Sequence, residues 1–189
     1  MRIIAGERRG LKLDAVEGLS TRPTADRVKE GLFNTIQMDI TPESKVLDVF
    51  AGTGNLGLEA LSRGAKHVTF IEKDPKALKV LKSNIKKCRF EERCRVIEGD
   101  ALKVLARLKG QDFDLIFLDP PYHENLYSKV FSAISQYQLL SECGILISEH
   151  AKNALFLYED KVFLQYKMKT YGETALYFFT QREPNGREL

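Results

Sequence analysis

The chain has 189 residues, of which 43% are hydrophobic and 29% charged, with a formal net charge of +3, and this balance predicts one mildly basic, soluble domain. Its three cysteines, Cys88, Cys94 and Cys143, form no CxxC pair, which disfavours a disulfide framework or a zinc site and favours a reducing cytoplasm. No apolar run reaches the length of a membrane span, and the apolar stretch at the N-terminus is too short for a signal peptide, so no membrane partner is expected. No metal is expected either, because neither the cysteines nor the histidines have partners at the spacing of metal ligands.

In chain order, the hydrophobic pattern alternates strands with helices. A small β-hairpin is expected near residues 2–5 and 11–16, followed by a helix that Thr24 could cap. The inner face of that helix consists of Val28, Leu32, Phe33 and Ile36. Strands are predicted at about 45–50, 67–72, 94–98, 113–118 and 144–149, and helices at about 56–63, 75–88, 101–109 and 125–138. Two last strands, 161–169 and 174–180, are separated by a short turn and should form an antiparallel hairpin.

This alternation predicts an α/β fold with a mostly parallel sheet that helices cover on both faces. We divide the single domain into an N-terminal extension (1–40), a Rossmann-like core (41–183) and a tail (184–189). Ligands bind such sheets at the carboxyl ends of the strands, where the winding reverses. The first and fourth core strands should be neighbours at that point, which would bring Asp48 and Asp119 to one crevice.

The first motif that carries chemistry is a strand, a glycine turn and a helix start in residues 47–57 (LDVFAGTGNLG). Such a turn is typical of sites for nucleotide-like cofactors. Its glycines, Gly52, Gly54 and Gly57, also fit the dinucleotide fingerprint, so a dehydrogenase and a tight turn without a ligand both have to be considered. Glu72 ends the next apolar run, where a carboxylate can bond both ribose hydroxyls.

Asp48 distinguishes between the possible cofactors. A carboxylate just before the turn repels a pyrophosphate, whereas it attracts the ammonium and the sulfonium of S-adenosylmethionine. Asp100 could lie beside the adenine amino group, or it could only cap the helix that begins near Ala101. The expected cofactor-binding residues are Asp48, Phe50, Gly52, Gly54, Glu72, Lys73, Asp100 and Ala101.

The second motif, residues 118–122 (LDPPY), follows a buried strand and suits an exocyclic amine on a flat base. Asp119 and the Pro120 carbonyl can each accept one hydrogen of that amine, which aims its lone pair at the sulfonium methyl group. Pro121 stiffens the turn together with Pro120, and Tyr122 can stack on the base. We therefore expect Asp119, Pro120, Pro121 and Tyr122 to be catalytic, the structural alternative being a turn with a surface tyrosine.

Three segments resemble the bacterial small-subunit (16S) ribosomal RNA guanine-N2 methyltransferases of the RsmD family. They are residues 21–33 (TRPTADRVKEGLF), 47–54 (LDVFAGTG) and 113–122 (FDLIFLDPPY), and the first is the most specific. The resemblance extends over nearly the whole chain. It implies a class I methyltransferase fold, S-adenosylmethionine as cofactor, and the N2 amine of a guanine in 16S ribosomal RNA or an assembling small ribosomal subunit as target.

Basic residues near the start of the chain suit an RNA backbone that approaches the site. They are Arg8, Arg9, Arg22 and Arg27, and an ordinary solvated surface with Arg27 paired to Glu30 or Glu7 is the alternative. Residues 73–95 carry nine Lys or Arg against three Asp or Glu, which is interpreted as a solvated helix face. The three histidines, His67, His123 and His150, are assigned no role.

Other functions stay open from the sequence. An adenine-N6 methyltransferase acting on DNA or RNA shares the DPPY motif, although a DNA enzyme usually needs a longer chain for its target-reading domain. A dehydrogenase is disfavoured by Asp48 and leaves the second motif unexplained. A non-catalytic RNA-binding protein that retains the fold is the third alternative.

Overall fold

The computed structural model describes residues 1–16, 23–120, 124–152 and 162–182, and of residues 23–25 and 124–125 the backbone alone. The strands within these ranges are β1 (Lys45–Asp48), β2 (His67–Glu72), β3 (Cys94–Glu98), β4 (Phe113–Leu118), β5 (Leu140–Ala151), β6 (Phe163–Tyr171) and β7 (Thr174–Gln181). The helices are α1 (Pro23–Thr35), α2 (Asn55–Ser62), α3 (Pro75–Cys88), α4 (Ala101–Arg107) and α5 (Glu124–Gln136).

The strands form one sheet in the order β3-β2-β1-β4-β5-β7-β6. The pairs among β1 to β5 are parallel, whereas β7 pairs antiparallel with both β5 and β6. The predicted mostly parallel sheet with a C-terminal antiparallel hairpin is therefore confirmed. Since β1 is followed by β2 on one side and lies beside β4 on the other, the winding reverses between β1 and β4.

Helices cover both faces of this sheet, as the alternating pattern predicts. Buried residues of α1, α2 and α3 form one core on the first face, and buried residues of α4 and α5 form a second core on the opposite face. The predicted inner face of α1 lies in the first core, with Val28, Leu32, Phe33 and Ile36 all buried. Among the helices of the described ranges, none has the length and apolar character that crossing a bilayer requires.

The N-terminal hairpin is shorter than predicted. Its antiparallel pairing is limited to residues 1–3 and 10–13, where Ile3 and Leu13 donate their amides to the carbonyls of Leu11 and Met1, and Gly10 donates to the carbonyl of Ile3. Beyond Ile3, the amides of Ile4 and Ala5 donate instead to the Glu59 carboxylate of α2. The pairing ends early because these amides fasten the segment to the core rather than to the opposite strand.

Several boundaries also differ from the prediction. Helix α1 begins at Pro23, before the expected Thr24 cap, and proline is favoured at the first helical position. Strand β5 begins at Leu140 because an irregularity between Phe113 and Leu115 lets Leu140 pair with Phe113. The predicted tail, 184–189, lies outside the described residues.

Candidate active site

A cavity of about 420 Å³ opens at the carboxyl ends of β1, β4 and β5, where the winding reverses. Its walls come from the segment before α1, the inner face of α1, and the turn that leads from β1 to α2. The polar groups that line it include Lys29, Asp48, Asn55, Asp119 and Glu149. The structure thus brings the two predicted motifs to one cavity, as the expected strand order requires.

Three carboxylates project from the sheet on the side of α1. The register pairs Asp48 with Phe117 and Leu118 with Ser148, so Asp119 and Glu149 follow at matching positions on adjacent parallel strands. Side chains alternate between the faces of a sheet. Phe117 belongs to the first core, on the side of α1, whereas Leu118 belongs to the second core on the opposite face. Asp119 and Glu149 therefore share the face of Asp48.

Burial first, and then the neighbouring charges, raise the pKa values of these acidic groups. Asp48 is 4% exposed, and burial, together with the charges of Asp119 and Glu72, raises its pKa to about 7. Asp119 stays accessible to solvent, yet the surrounding protein raises its pKa as well. Burial and the neighbouring Asp119 charge raise the pKa of Glu149. A cation or a group of hydrogen-bond donors in the cavity would relieve these costs.

The glycine turn leads from β1 into α2, and Asp48 holds its two ends together. Oδ2 of Asp48 accepts a hydrogen bond of 3.0 Å from the Gly57 amide. A Cβ on Gly57 would lie 2.3 Å from Cε1 of the Phe70 ring, so this glycine is required for close packing of α2 on β2. Gly52 has a left-handed φ of 53°, and a Cβ there would meet no atom within 4 Å. The open space beside Gly52 leaves room for a ligand against the turn.

Glu72 ends β2 next to this turn. Its Oε2 accepts from the Gly52 amide at 2.7 Å, and its Oε1 accepts from the amides of Lys73 and Asp74. Oε1 therefore already accepts two hydrogen bonds, whereas Oε2 accepts one and keeps a lone pair for a ribose hydroxyl. Lys73 itself is exposed, whereas Phe50 lies in the cavity wall.

Asp100 occupies the N-cap of α4 and accepts from the Lys103 amide at 3.4 Å. Capping was one of the two alternatives for this residue, and the structure shows that contact. Asp100 is exposed, and Ala101 is buried in the core with α4. The contact of Asp100 and Ala101 with the cofactor stays a prediction.

The second motif is described as far as Pro120, which is buried. Pro121, Tyr122 and the adjoining His123 lie outside the described residues, as does Arg22. The catalytic roles of Asp119 and Pro120 stay predictions. They are supported by the position of Asp119 in the cavity and by the direct continuation of β4 into Pro120.

The predicted RNA-binding arginines differ in their surroundings. Arg9 and Arg27 are exposed, in agreement with a surface role. Arg8 instead donates through Nε to the Cys88 carbonyl at 2.7 Å and lies over the Phe90 ring. This contact fastens the N-terminal segment to the end of α3, so much of the Arg8 side chain is used within the protein.

Two charged residues of the cavity, Glu149 and Lys29, were not predicted from the sequence. Glu149 interrupts the apolar run of β5 at its carboxyl end, and that position was the available signal. Lys29 is 1% exposed, donates to the Arg2 carbonyl and to Asn55 Oδ1, and pairs with Glu59 at 3.3 Å. No local pattern identifies a lysine on an amphipathic helix as buried, because its partners are distant in sequence.

The residues around the cavity fit S-adenosylmethionine. Its sulfonium and ammonium groups are cations, and the cavity presents carboxylates together with the open space beside Gly52. The same carboxylates would repel a pyrophosphate, and this also disfavours a dinucleotide cofactor. In the described ranges, no group of three or more His, Cys, Asp or Glu side chains is arranged to hold a metal ion.

Comparison with known proteins identifies related chains over nearly the full length. The family model described as "Conserved hypothetical protein 95" matches residues 1–180. Ribosomal RNA small subunit methyltransferase D of Haemophilus influenzae is 43% identical over 156 residues, covering 81% of this chain and 80% of that protein. The protein of the same name from Escherichia coli K12 is 35% identical over 187 residues, covering 98% and 92%.

A solved structure agrees with these relatives. The Escherichia coli protein described as "Putative methyltransferase yhhF" has a TM-score of 0.86 and 31% identity, covering 97% of this chain and 98% of that one. The expected class I methyltransferase fold is therefore confirmed. By its fold, its family model and these relatives, the chain belongs to the family of the ribosomal RNA small subunit methyltransferases D.

Proposed function

We propose that this methyltransferase transfers a methyl group from S-adenosylmethionine to the exocyclic N2 amine of a guanine in 16S ribosomal RNA. The observation that carries the proposal is the placement of Asp119 at the end of β4, in the cavity that Asp48 lines from the end of β1. The names of the Haemophilus influenzae and Escherichia coli relatives support ribosomal RNA as the substrate.

When bound, S-adenosylmethionine supplies a methyl group on a positively charged sulfur. Asp119 and the Pro120 carbonyl accept hydrogen bonds from the two N–H groups of the target amine and hold its nitrogen in line with that methyl group. When the nitrogen gains the methyl group it gives up one of these two protons, and Asp119 is the nearest acceptor for it. The amine is a weak nucleophile because its lone pair is delocalised into the base, so alignment and electrostatic stabilisation supply most of the rate enhancement. We also propose that Pro121 stiffens this turn and that Tyr122 stacks on the base.

The experiment that tests this function follows a labelled methyl group. The protein, S-adenosylmethionine labelled on the methyl group and small-subunit ribosomal RNA or subunits lacking the modification are incubated together, and the modified nucleoside is identified by mass spectrometry. Labelled N2-methylguanosine is the expected product. Labelled N6-methyladenosine would favour the adenine alternative, and no label on any RNA would favour a non-catalytic binding protein.

We propose that Glu72 bonds the ribose hydroxyls, and Glu72→Ala is therefore expected to weaken S-adenosylmethionine binding. A hydrogen bond to a charged acceptor contributes roughly 1.5–3 kcal/mol, so the affinity should fall about tenfold to a hundredfold. Titration calorimetry measures the change. Glu98→Ala is the matched control, because Glu98 is an exposed carboxylate paired in register with Glu72 on β3. Equal affinities in parent and Glu72→Ala would contradict the assignment.

The pH dependence of cofactor binding tests Asp48. Because its pKa is raised to about 7, Asp48 is partly protonated at neutral pH and becomes fully charged only above that value. Affinity for a cationic cofactor should therefore rise as the pH increases through about 7. Asp48→Asn cannot gain the charge, so its weaker binding should rise less over the same range. Parallel pH profiles in parent and variant would exclude Asp48 as the source.

RNA contact is proposed for Arg9, Arg22 and Arg27 on an RNA-facing extension formed by residues 1–40. Replacing these three with Ala should weaken RNA binding and reduce its salt dependence, by roughly 0.7 in the logarithmic slope for each lost contact to single-stranded phosphate. S-adenosylmethionine affinity should stay the same. Lys76→Gln, Lys79→Gln and Lys82→Gln on the exposed face of α3 form the comparison variant. A loss confined to that variant would place the RNA along α3 instead.

A further inference from the structure

Glu149 has a fixed position beside Asp119. Strand β5 continues beyond the end of β4, and neighbouring strands lie roughly 4.8 Å apart, so the two residues are adjacent across the sheet. On its other side Glu149 pairs with Leu176 of β7, and its carbonyl accepts a hydrogen bond from the Tyr127 hydroxyl. The backbone that carries the carboxylate is therefore held from two directions.

The side chain of Glu149, in contrast, is available to a ligand. It lines the cavity and is half-buried, and among the described residues no hydrogen bond to its carboxylate is formed. Lys29, a cation in the same cavity wall, already binds the Arg2 carbonyl, Asn55 and Glu59. A partly desolvated carboxylate without donors is unfavourable, and donors from a bound substrate would offset that cost.

The edge of the target base determines which donors can reach this carboxylate. In guanine, the N2 amine is next to N1–H, so one edge presents two neighbouring donors. In adenine, the N6 amine is next to an unprotonated N1, which is an acceptor. Two adjacent charged carboxylates match the first edge, whose N1–H donor would also offset the burial that raises the pKa of Glu149 and so favour its charged form. They repel the second edge, because a charged carboxylate facing an acceptor leaves both without a donor.

We propose that Glu149 accepts a hydrogen bond from N1–H of the target guanine while Asp119 accepts one from its N2 amine, and that Glu149 thereby selects guanine over adenine. The inference depends on the proposed function. It makes Glu149 a specificity-determining residue, whereas Asp119 and Pro120 align the nitrogen that is methylated.

The test compares guanosine with 2-aminopurine riboside at the methylated position. The analogue keeps the N2 amine but has an unprotonated N1 and lacks the 6-oxygen. Single-turnover methylation of the two RNAs gives a guanosine to 2-aminopurine rate ratio for the parent and for Glu149→Ala. Equilibrium binding of both RNAs with S-adenosylhomocysteine gives the same comparison without turnover. We expect both ratios to fall roughly tenfold or more in the variant.

Comparing the guanosine to 2-aminopurine ratio of the parent with that of the variant isolates the recognition of N1–H. Contacts to the 6-oxygen contribute equally to both ratios, because Glu149→Ala leaves those contacts in place. Glu142→Ala, an exposed glutamate near the start of β5, should keep the parental ratio. Glu149→Gln covers the case in which the alanine variant does not fold. Its amide can donate to the unprotonated N1 of 2-aminopurine, so its ratio should fall as well.

The outcomes distinguish the two proposals. If the parent methylates guanine N2 and its ratio persists in the folded Glu149 variants, the role of Glu149 is overturned while the proposed function stands. If the parent methylates no guanine N2, the proposed function itself fails. A lowered ratio in the Glu149 variants, with the Glu142 variant unchanged, supports the inference.

Discussion

Asp119→Ala is expected to leave almost no methyl transfer, and Asp119→Asn to reduce it steeply without abolishing it. The alanine variant removes the acceptor that orients the target amine, together with the negative charge that faces it. Losing one such preorganised electrostatic contact reduces turnover by roughly 100-fold to 1,000-fold. The asparagine variant keeps the size and one carbonyl acceptor, so it keeps part of the alignment. Single-turnover methyl transfer to the RNA substrate measures both effects.

Binding measurements distinguish a role in transfer from a role in folding. Both Asp119 variants should bind S-adenosylmethionine and RNA nearly as the parent does, since Asp119 acts on the geometry of the transfer. Asp112→Ala is a suitable control because Asp112 is an exposed carboxylate just before β4, paired with Lys45 on the surface. Near-parental turnover in Asp119→Ala would leave the Asp-Pro-Pro-Tyr turn with a structural role only.

The convergence of Asp48 and Asp119 could be predicted from the sequence for a topological reason. Alternation of strands and helices favours a parallel sheet, and the reversal of winding in such a sheet makes the first and fourth strands neighbours. A carboxylate at the carboxyl end of either strand then lies at the crevice, and the apolar runs before residues 48 and 119 indicate that both strands end there. The observed β1–β4 pairing confirms this step.

The two cavity residues that were missed depend on contacts between distant parts of the chain. Glu149 acquires its position from the pairing of β5 with β4 and β7, and the register of those pairs cannot be obtained from β5 alone. Lys29 is buried because Glu59, Asn55 and the Arg2 carbonyl surround its amine. Periodicity predicts which face of α1 is apolar, but it cannot predict a polar network assembled from three separate segments.

That network accounts for the second large effect, which is on stability. Glu59 is 0% exposed and accepts from Arg63 Nε and from the amides of Ile4 and Ala5, besides pairing with Lys29. Glu59→Ala removes all of these acceptors at once. It also leaves the Lys29 ammonium buried without its counter-charge, and burial already lowers the pKa of Lys29. Removing one partner of a buried pair typically costs about 3–5 kcal/mol.

We therefore expect Glu59→Ala to lower the free energy of unfolding by about 3–5 kcal/mol in denaturant titrations. Glu43→Ala is the matched control, because Glu43 is paired with Lys66 but is 79% exposed, and such surface pairs contribute about 0–1 kcal/mol. The double variant Lys29→Met, Glu59→Ala should recover the part of the loss that comes from the unpaired ammonium. It should not recover the part that comes from Arg63 and from the amides of Ile4 and Ala5.

A small effect of Glu59→Ala, equal to that of Glu43→Ala, would show that water or another acceptor replaces the carboxylate. The N-terminal segment would then be held mainly by its apolar contacts, such as Ile3 and Leu13 in the α1 core. A large effect that the double variant does not reduce at all would point to the two amides and Arg63 rather than to Lys29. In either case Glu59 would not be needed to neutralise the charge of Lys29. Partial recovery in the double variant would show instead that the ion pair with Lys29 and the amide contacts both contribute to stability.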